Sequence, residues 1–397
     1  MSGDGIVAFD NTEIAFKSKS DKDLNRAWWL FGLMDNSLLG KFGPKLTSFA
    51  INIGLPLTSF IKSKIFRHFC GGETIKECES VIRQLSEFGV GSILDYSVEG
   101  AENEKRFRYT SEEIIRTIRH GAGDRRIPFA VFKVTGIANF ALLAKKAAGK
   151  ELTLAEEADF FKVRARVNDI CRTAYELDVR IMIDAEESWI QDPIDTLALA
   201  MMQQYNREKA LVFNTYQLYR NDKMTSLKAD LQQAKDYNFI LGAKLVRGAY
   251  IEKERSRAEE RGYPSPIHPD KELTDRDYNE ALEFCVEHLE KVAFIAGTHN
   301  EYSCNYLTEL MKKSNIPADH QHIWFSQLFG MGDNLSFNLA DAGYNVAKYV
   351  PYGPVKAVLP YLFRRAEENS AISGHAGREL MLISTEKKRR KVIGLKR

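Results

Sequence analysis

From residue 89 onward the chain repeats one pattern eight times. A short run rich in Val, Ile, Leu and Phe ends in polar residues and gives way to a stretch with helical apolar spacing. The runs are Gly91 to Tyr96, Pro128 to Thr135, Val179 to Asp184, Ala210 to Thr215, Phe239 to Val246, Val292 to Ala296, His322 to Ser326 and Tyr344 to Val350. Eight strands alternating with helices over about 280 residues predict an α/β fold of a particular kind, the parallel (β/α)8 TIM-type barrel, whose usual size is ~250 residues. An open doubly wound sheet is the alternative. Against it, no strand-to-helix turn carries G-x-G-x-x-G: Leu94 and Leu335 stand where the third glycine belongs after Gly89-x-Gly91 and Gly330-x-Gly332.

The intervening segments support the alternation. Tyr278, Ala281, Leu282, Cys285, Val286 and Leu289 fall on one helical stripe, so Cys285 reads as core rather than chemistry. Thr153-x-x-Glu156 matches a capping box and predicts a helix start. Up to residue 88 the chain reads helical, with turns at Gly43-Pro44, Gly54 to Pro56 and Gly71-Gly72. The expected organisation is an N-terminal helical arm over 1–88, the barrel over 89–375 and a basic tail over 376–397. Arg257 to Arg276, with Pro264, Pro266 and Pro269, reads as a long loop, either a lid or a rigid excursion.

Composition excludes several classes. With 44% hydrophobic and 28% charged residues the chain is neither disordered nor a disulfide scaffold. Seven of the last eleven residues are Lys or Arg with no acid, so the remainder is net −5 against a total of +2. A mildly acidic body does not suit nucleic-acid binding, and the tail reads as a solvated end. Five cysteines without C-x-x-C spacing suggest no zinc site and a reducing compartment. The first ten residues lack a secretory pattern and carry acids that argue against a transit peptide, so a cytoplasmic protein is expected. Ser48 to Phe66 is apolar but broken by Asn52, Gly54, Pro56 and two lysines, and reads as a buried helix pair rather than a span.

In a barrel of this kind chemistry sits at the carboxyl ends of the strands. Read in order, those ends give Asp95 and Glu99, Lys133, Asp184 and Glu186, Asn214 and Gln217, Lys244 and Arg247, Thr298 to Asn300, Gln327, and Tyr349 with Tyr352. After the eighth strand, Tyr361, Arg364, Arg365 and Glu368 share one helical face. Two adjacent guanidinium forks suit a carboxylate or phosphate; a solvated face paired with Glu367 and Glu368 is the plainer reading.

Six ordered motifs together resemble the FAD-dependent proline dehydrogenases, in the single-function version similar to the eukaryotic enzymes. They are Asp184-Ala185-Glu186, the run from Lys244 to Tyr250, Thr298-His299-Asn300, the run from Gln327 to Asp333, that from Lys348 to Gly353, and that from Pro360 to Asn369. The resemblance covers roughly residues 85 to 370. It implies a distorted (β/α)8 barrel, oxidation of L-proline to 1-pyrroline-5-carboxylate with hydride passing to flavin N5, and a membrane quinone as electron acceptor.

Residue by residue, the resemblance implies that Lys133, Arg364 and Arg365 hold the substrate carboxylate and that Leu328, Tyr349, Tyr361 and Ala249 wall the ring. Asp184 and Lys244 take the catalytic positions, the first orienting Lys133 and the second placing a cation beside flavin N5, where many bacterial relatives have Arg. The cofactor set is Ala185, Asn214, Arg247, Gly248, Ala249, Thr298, His299, Asn300 and Glu368, with Asn214 standing where relatives often have Gln. Glu99 would gate the mouth against Arg364. A tyrosine at 349 favours proline over 4-hydroxyproline. No metal is implied. The basic tail, if it docks, would meet the inner face of the cytoplasmic membrane. A Schiff-base lyase using Lys133 or Lys244 is the competing enzyme class, and a membrane adaptor the competing non-enzyme.

Overall fold

The structure, a computed structural model, describes residues 7–34, 65–97, 103–371 and 375–394, without the side chains of Arg365 and Glu368. Glu99 and nearly all of Ser48 to Phe66 lie outside the described residues. The eight strands are β1 (Val90–Tyr96), β2 (Phe129–Lys133), β3 (Arg180–Asp184), β4 (Val212–Gln217), β5 (Leu241–Val246), β6 (Val292–Gly297), β7 (Ile323–Leu328) and β8 (Val346–Tyr352). Each pairs in parallel with the next, and β1 pairs with β8, placing Ile93 opposite Tyr349 and closing the barrel. The expected fold is the observed one, and all eight expected strands are present.

Strand alternation divides the side chains between two cores. Inward-facing Ile93, Phe129, Val131, Met182, Phe213, Ile295, Ala347 and Tyr349 fill the barrel. Outward-facing Ile181, Ile183, Val212, Tyr216, Ala243 and Leu245 pack under the helices. At the amino end of the barrel Phe129 meets Phe213 and Trp324 edge-on, with centroids 5.5 and 5.2 Å apart. That plug leaves the carboxyl end as the open one.

Local chemistry explains the helix starts. Thr153 and Glu156 form the expected reciprocal capping box. Cys285 is buried on the inner stripe of the Lys271–Glu287 helix. The segment expected to be a long loop is mostly helical instead. The Ile251–Arg261 helix ends in left-handed Gly262, and a short connection leads to the next helix at Lys271. Bridging of Arg220 to Ile267 and a buried His268–Asp277 contact of 2.7 Å fasten that connection. Its three prolines fall in the break between the two helices, residues 262–270.

The arm contributes helices Thr12–Ala15, Asp21–Met34, Arg67–Phe69 and Ile75–Ser86. The basic C-terminal stretch is not a solvated end. His375–Val392 is a helix packed on Asp21–Met34, and the buried Arg390 bonds Glu386, Asp21 and the carbonyls of Phe16 and Lys19. Five of the seven tail cations, Lys387 to Lys391, therefore lie within this helix, and two of them, Arg389 and Arg390, are paired with Glu386. Below it, fully buried Lys348 on β8 bonds Asp333 at 2.7 Å, and Lys19 of the arm reaches the same carboxylate at 3.2 Å. The arm is thereby tied to the loop that follows β7.

Candidate active site at the carboxyl end of the barrel

Inward positions at the ends of β2, β3, β5 and β8 bring Lys133, Asp184, Lys244 and Tyr349 together, although 51 to 216 residues separate them. Lys133 Nζ donates to Asp184 Oδ2 at 2.9 Å, and Lys244 Nζ donates to Asp184 Oδ1 at 2.6 Å. Lys244 also donates to the Tyr349 hydroxyl at 2.6 Å, which lies 3.2 Å from Asp184 Oδ1. Burial disfavours the Asp184 charge, but the two lysines override it and hold its carboxyl well below the usual range. Burial likewise pulls Lys244 down against the opposing pull of Asp184. Burial, reinforced by the neighbouring aspartate, pushes the Tyr349 hydroxyl far up, so it stays a neutral donor.

Around this cluster lie residues the strand-end reading ranked lower. Glu186 is buried two positions beyond Asp184; its Oε1 accepts the Thr135 N–H at 3.0 Å, and its Oε2 meets the Thr135 hydroxyl. Burial pushes Glu186 up to about 7, despite the hydrogen bonds from Thr135. Tyr250 is buried with its hydroxyl in the field of Glu186, Lys133 and Arg364, and burial again pushes it far up. It was visible only as the last residue of the Lys244 to Tyr250 run, with no sequence signal marking its inward direction. Leu328 and the buried Tyr361 belong to one apolar cluster with Met331 and Val358, on the β7–β8 side of the mouth.

The remaining expected residues divide. Arg247 packs over the Tyr278 ring at 4.3 Å and donates to Asp275, Thr298 Oγ1 and Ser303 Oγ at 2.6, 2.7 and 2.9 Å. Asn300 caps the Glu301–Lys313 helix through Ser303 N, and His299 Nε2 accepts the Leu328 N–H at 3.2 Å. Ala185 is buried and Ala249 exposed. Gly248 has φ +137, and a Cβ there would sit 2.5 Å from the Tyr219 ring, so only glycine keeps that stretch flat.

Asn214 does not face the mouth. Alternation along β4 turns it outward, where Nδ2 donates to Asp195 at 2.9 Å, beneath the Ser188–Tyr205 helix. Gln217, three residues on and therefore of opposite parity, is the inward amide of β4 and donates to the Glu186 carbonyl at 2.7 Å. Gln327 is also outward, bonding the Thr298 carbonyl and Ser336. Among the described residues no His, Cys, Asp and Glu cluster could hold a metal.

A flat glycine at the rim, a buried lysine with a lowered proton affinity inside, and a capped helix start flanked by Arg247 and Thr298 fit a planar redox ring carrying phosphates. The proline dehydrogenase family model matches residues 78–378. The chain belongs to the proline dehydrogenase family. As a member it is an oxidoreductase acting on proline, and the family implies a flavin. The chain is similar to the mitochondrial proline dehydrogenase 1 of Dictyostelium discoideum, 32% identical over 96% of this chain and 74% of that protein. Its likeness to proline dehydrogenase 1 of Drosophila melanogaster, also named mitochondrial, is 42% over 60% of this chain and only 37% of that protein. A hydroxyproline dehydrogenase of Xenopus laevis is 29% identical over 97% and 91%. Among solved structures, proline utilization A from Bdellovibrio bacteriovorus superposes with a TM-score of 0.70 at 19% identity, over 92% of this chain and 37% of that one, and shares the fold.

Proposed function

We propose that this barrel oxidises L-proline to 1-pyrroline-5-carboxylate with FAD at its mouth, the electrons then passing to a membrane quinone. The Lys133–Asp184–Lys244–Tyr349 cluster carries this reading. Lys133, backed by Arg364 and Arg365 from the Val355–Ala371 helix, would hold the substrate carboxylate, a small anion suited to one point charge and two forks. Asp184 orients both lysines so that each ammonium keeps a fixed place. Bound flavin would take the hydride leaving the ring carbon beside nitrogen. Lys244 would stabilise the negative charge that develops, and its lysine head supplies a point charge without a fork. Tyr349, Tyr361, Leu328, Ala249 and the buried Tyr250 exclude water. Ala185, Gln217, Arg247, Gly248, Thr298, His299, Asn300 and Glu368 would receive the cofactor, Arg247 after exchanging part of its bonding to Asp275. Glu99 remains the proposed gate residue.

The test is the visible spectrum of the purified protein. Flavin bands bleached by proline without air support the proposal; a colourless and fully active protein would instead favour a Schiff-base lyase. The hydroxyproline dehydrogenase relative makes 4-hydroxyproline the second candidate substrate. Tyr349, held from both sides by Lys244 and Asp184, fills the space a 4-hydroxyl would need, so proline should be turned over faster.

No described helix is long and apolar enough to cross a membrane. Peripheral contact through the exposed Lys388 and Lys391 on the last helix stays a proposal, as does a cytoplasmic location, supported by five free, buried cysteines. The relatives' mitochondrial names point to another compartment, and fractionation of cells expressing the full chain decides between them.

A further inference from the structure

Glu186 is a buried carboxylate beside the substrate pocket for which the reaction above has no use. Its side chain is 3% exposed. Both oxygens meet Thr135, the middle residue of the single turn Val134–Gly136 that directly follows Lys133. Its main chain is equally fixed: its N–H donates to Gln191 Oε1 at 2.7 Å and its carbonyl accepts Gln217 at 2.7 Å. This group cannot swing away from the pocket, and its charge state is therefore felt where it stands.

Its charged and titratable neighbours among the described residues are these. Lys133 comes from the end of β2, with Asp184 already on its ammonium at 2.9 Å. Glu187 follows in the chain and is neutralised by Lys253 at 2.9 Å. Tyr250, from the start of the Ile251–Arg261 helix, faces Glu186 and stays neutral because it is buried, and Arg364 of the Val355–Ala371 helix acts on the same hydroxyl. Burial sets Glu186 itself near neutrality, pushed up to about 7. Lys133 thus answers to two carboxylates and would also hold the substrate's.

We propose that Glu186 is a positioning residue that sets, by gaining or losing its proton, how strongly the Lys133 pocket holds a substrate carboxylate. With the proton on, Glu186 is neutral, keeps the Thr135 turn in place, and leaves the Lys133 field for the ligand. With the proton off, a fixed negative charge opposes the incoming carboxylate. By reciprocity, an anionic ligand raises the proton affinity of Glu186 and its binding takes up a proton. The inference rests on the carboxylate pocket proposed above.

The probe is tetrahydrofuran-2-carboxylate, an oxygen isostere of proline whose carboxylate is its one ionisable group, so any pH dependence above about pH 6 belongs to the protein. Its Kd for the flavin-loaded full chain, measured calorimetrically between about pH 6 and pH 8.5, should weaken about fivefold or more. Glu186→Gln, which still accepts from Thr135, should bind with a flat profile at the tight, low-pH value, and Glu186→Asp should restore a slope. A flat wild-type profile, or a Glu186→Gln profile as steep as wild type, overturns the inference. So does a Glu186→Gln Kd raised equally at every pH, the mark of a purely structural role. Failure of wild type to bind the probe at any pH, with proline also failing to bleach the flavin, overturns the pocket reading as well.

Discussion

Replacing Asp184 by Asn tests the centre of the site. The change keeps volume, so no cavity is created, and it removes only the charge that two ammonium groups share. Lys244 is 7% exposed and sits 2.6 Å from that carboxylate, so it is left as a buried cation whose remaining hydrogen bond is to a neutral tyrosine. Breaking a buried pair by removing one partner costs ~3–5 kcal/mol, and the second lysine, less buried, adds less. Lys244 has one escape. Burial already pulls its proton affinity down, and without Asp184 it falls further until the lysine neutralises. The unfolded state then binds more protons than the folded one over the pH range above the shifted value, so the variant should regain stability as pH rises.

Wild type should not show that slope from Asp184. Its folded value is depressed, so its contribution is complete above the unfolded value of about 4 and is lost only in strong acid. Denaturant melts of the flavin-loaded protein at about pH 6, 7.5 and 9 should therefore give a variant roughly 3 kcal/mol less stable at the lowest pH, with the gap narrowing upward. Turnover should fall with it, because Lys133 and a charged Lys244 lose their common anchor. A variant as stable as wild type at the lowest pH, with unchanged kcat/KM, would refute the argument that Asp184 balances two lysines.

Arg364→Met should raise KM for proline by about two orders of magnitude, on the order of 3 kcal/mol for a charge-assisted carboxylate contact, with kcat less affected; an unchanged KM removes this arginine from the pocket. Tyr349→Ser should shift the ratio of kcat/KM values toward trans-4-hydroxyproline, measured by parallel assays of the two substrates. Asn214→Ala should leave the flavin absorption bands unmoved, since this amide bonds Asp195 behind the strand, whereas Gln217→Ala should shift them. Glu254→Ala removes a fully buried carboxylate that accepts both the N–H and the hydroxyl of Ser188 at 2.6 Å, and should cost about 2–4 kcal/mol in thermal or denaturant melts, with Glu254→Gln recovering part of it.

Strand number, order and spacing were legible in the sequence because each strand of a covered parallel sheet is a short apolar run, and such runs need no partner to be recognised. The residues at their ends were legible for the same reason. Direction was not. Asn214 and Gln217 are both polar and both near the end of β4, and only pairing of Asn214 with Ala243 in the closed barrel reveals which amide points in. Tyr250 escaped because aromatic residues just past a strand look like core. The Arg257 to Arg276 segment misled because three prolines suggest a loop, while the helices on either side of them take most of its length. The basic tail misled because repulsion within a cluster is evident from composition, but Glu386 and Asp21, which quench it, come from one turn away and from the far end of the chain.

Net charge at the mouth follows from the same pairings. Arg247, expected in the cofactor set, already shares its charge with Asp275, so it adds little to the field inside the barrel. Lys133 and Lys244 share the Asp184 carboxylate, and the buried Asp95 carboxyl at the end of β1 also acts on Lys244, so inside the barrel two ammonium groups face two carboxyl groups before Glu186 is counted. On the proposed reading, Arg364 supplies the further cation with which a substrate carboxylate would be held without leaving a buried charge uncompensated. On the same reading, a negative charge developing in the reaction would meet Lys244, since the substrate carboxylate would occupy Lys133. Two lysines on one aspartate would thus separate holding the substrate from stabilising the reaction, and an ionised Glu186 would add a negative charge that opposes the first.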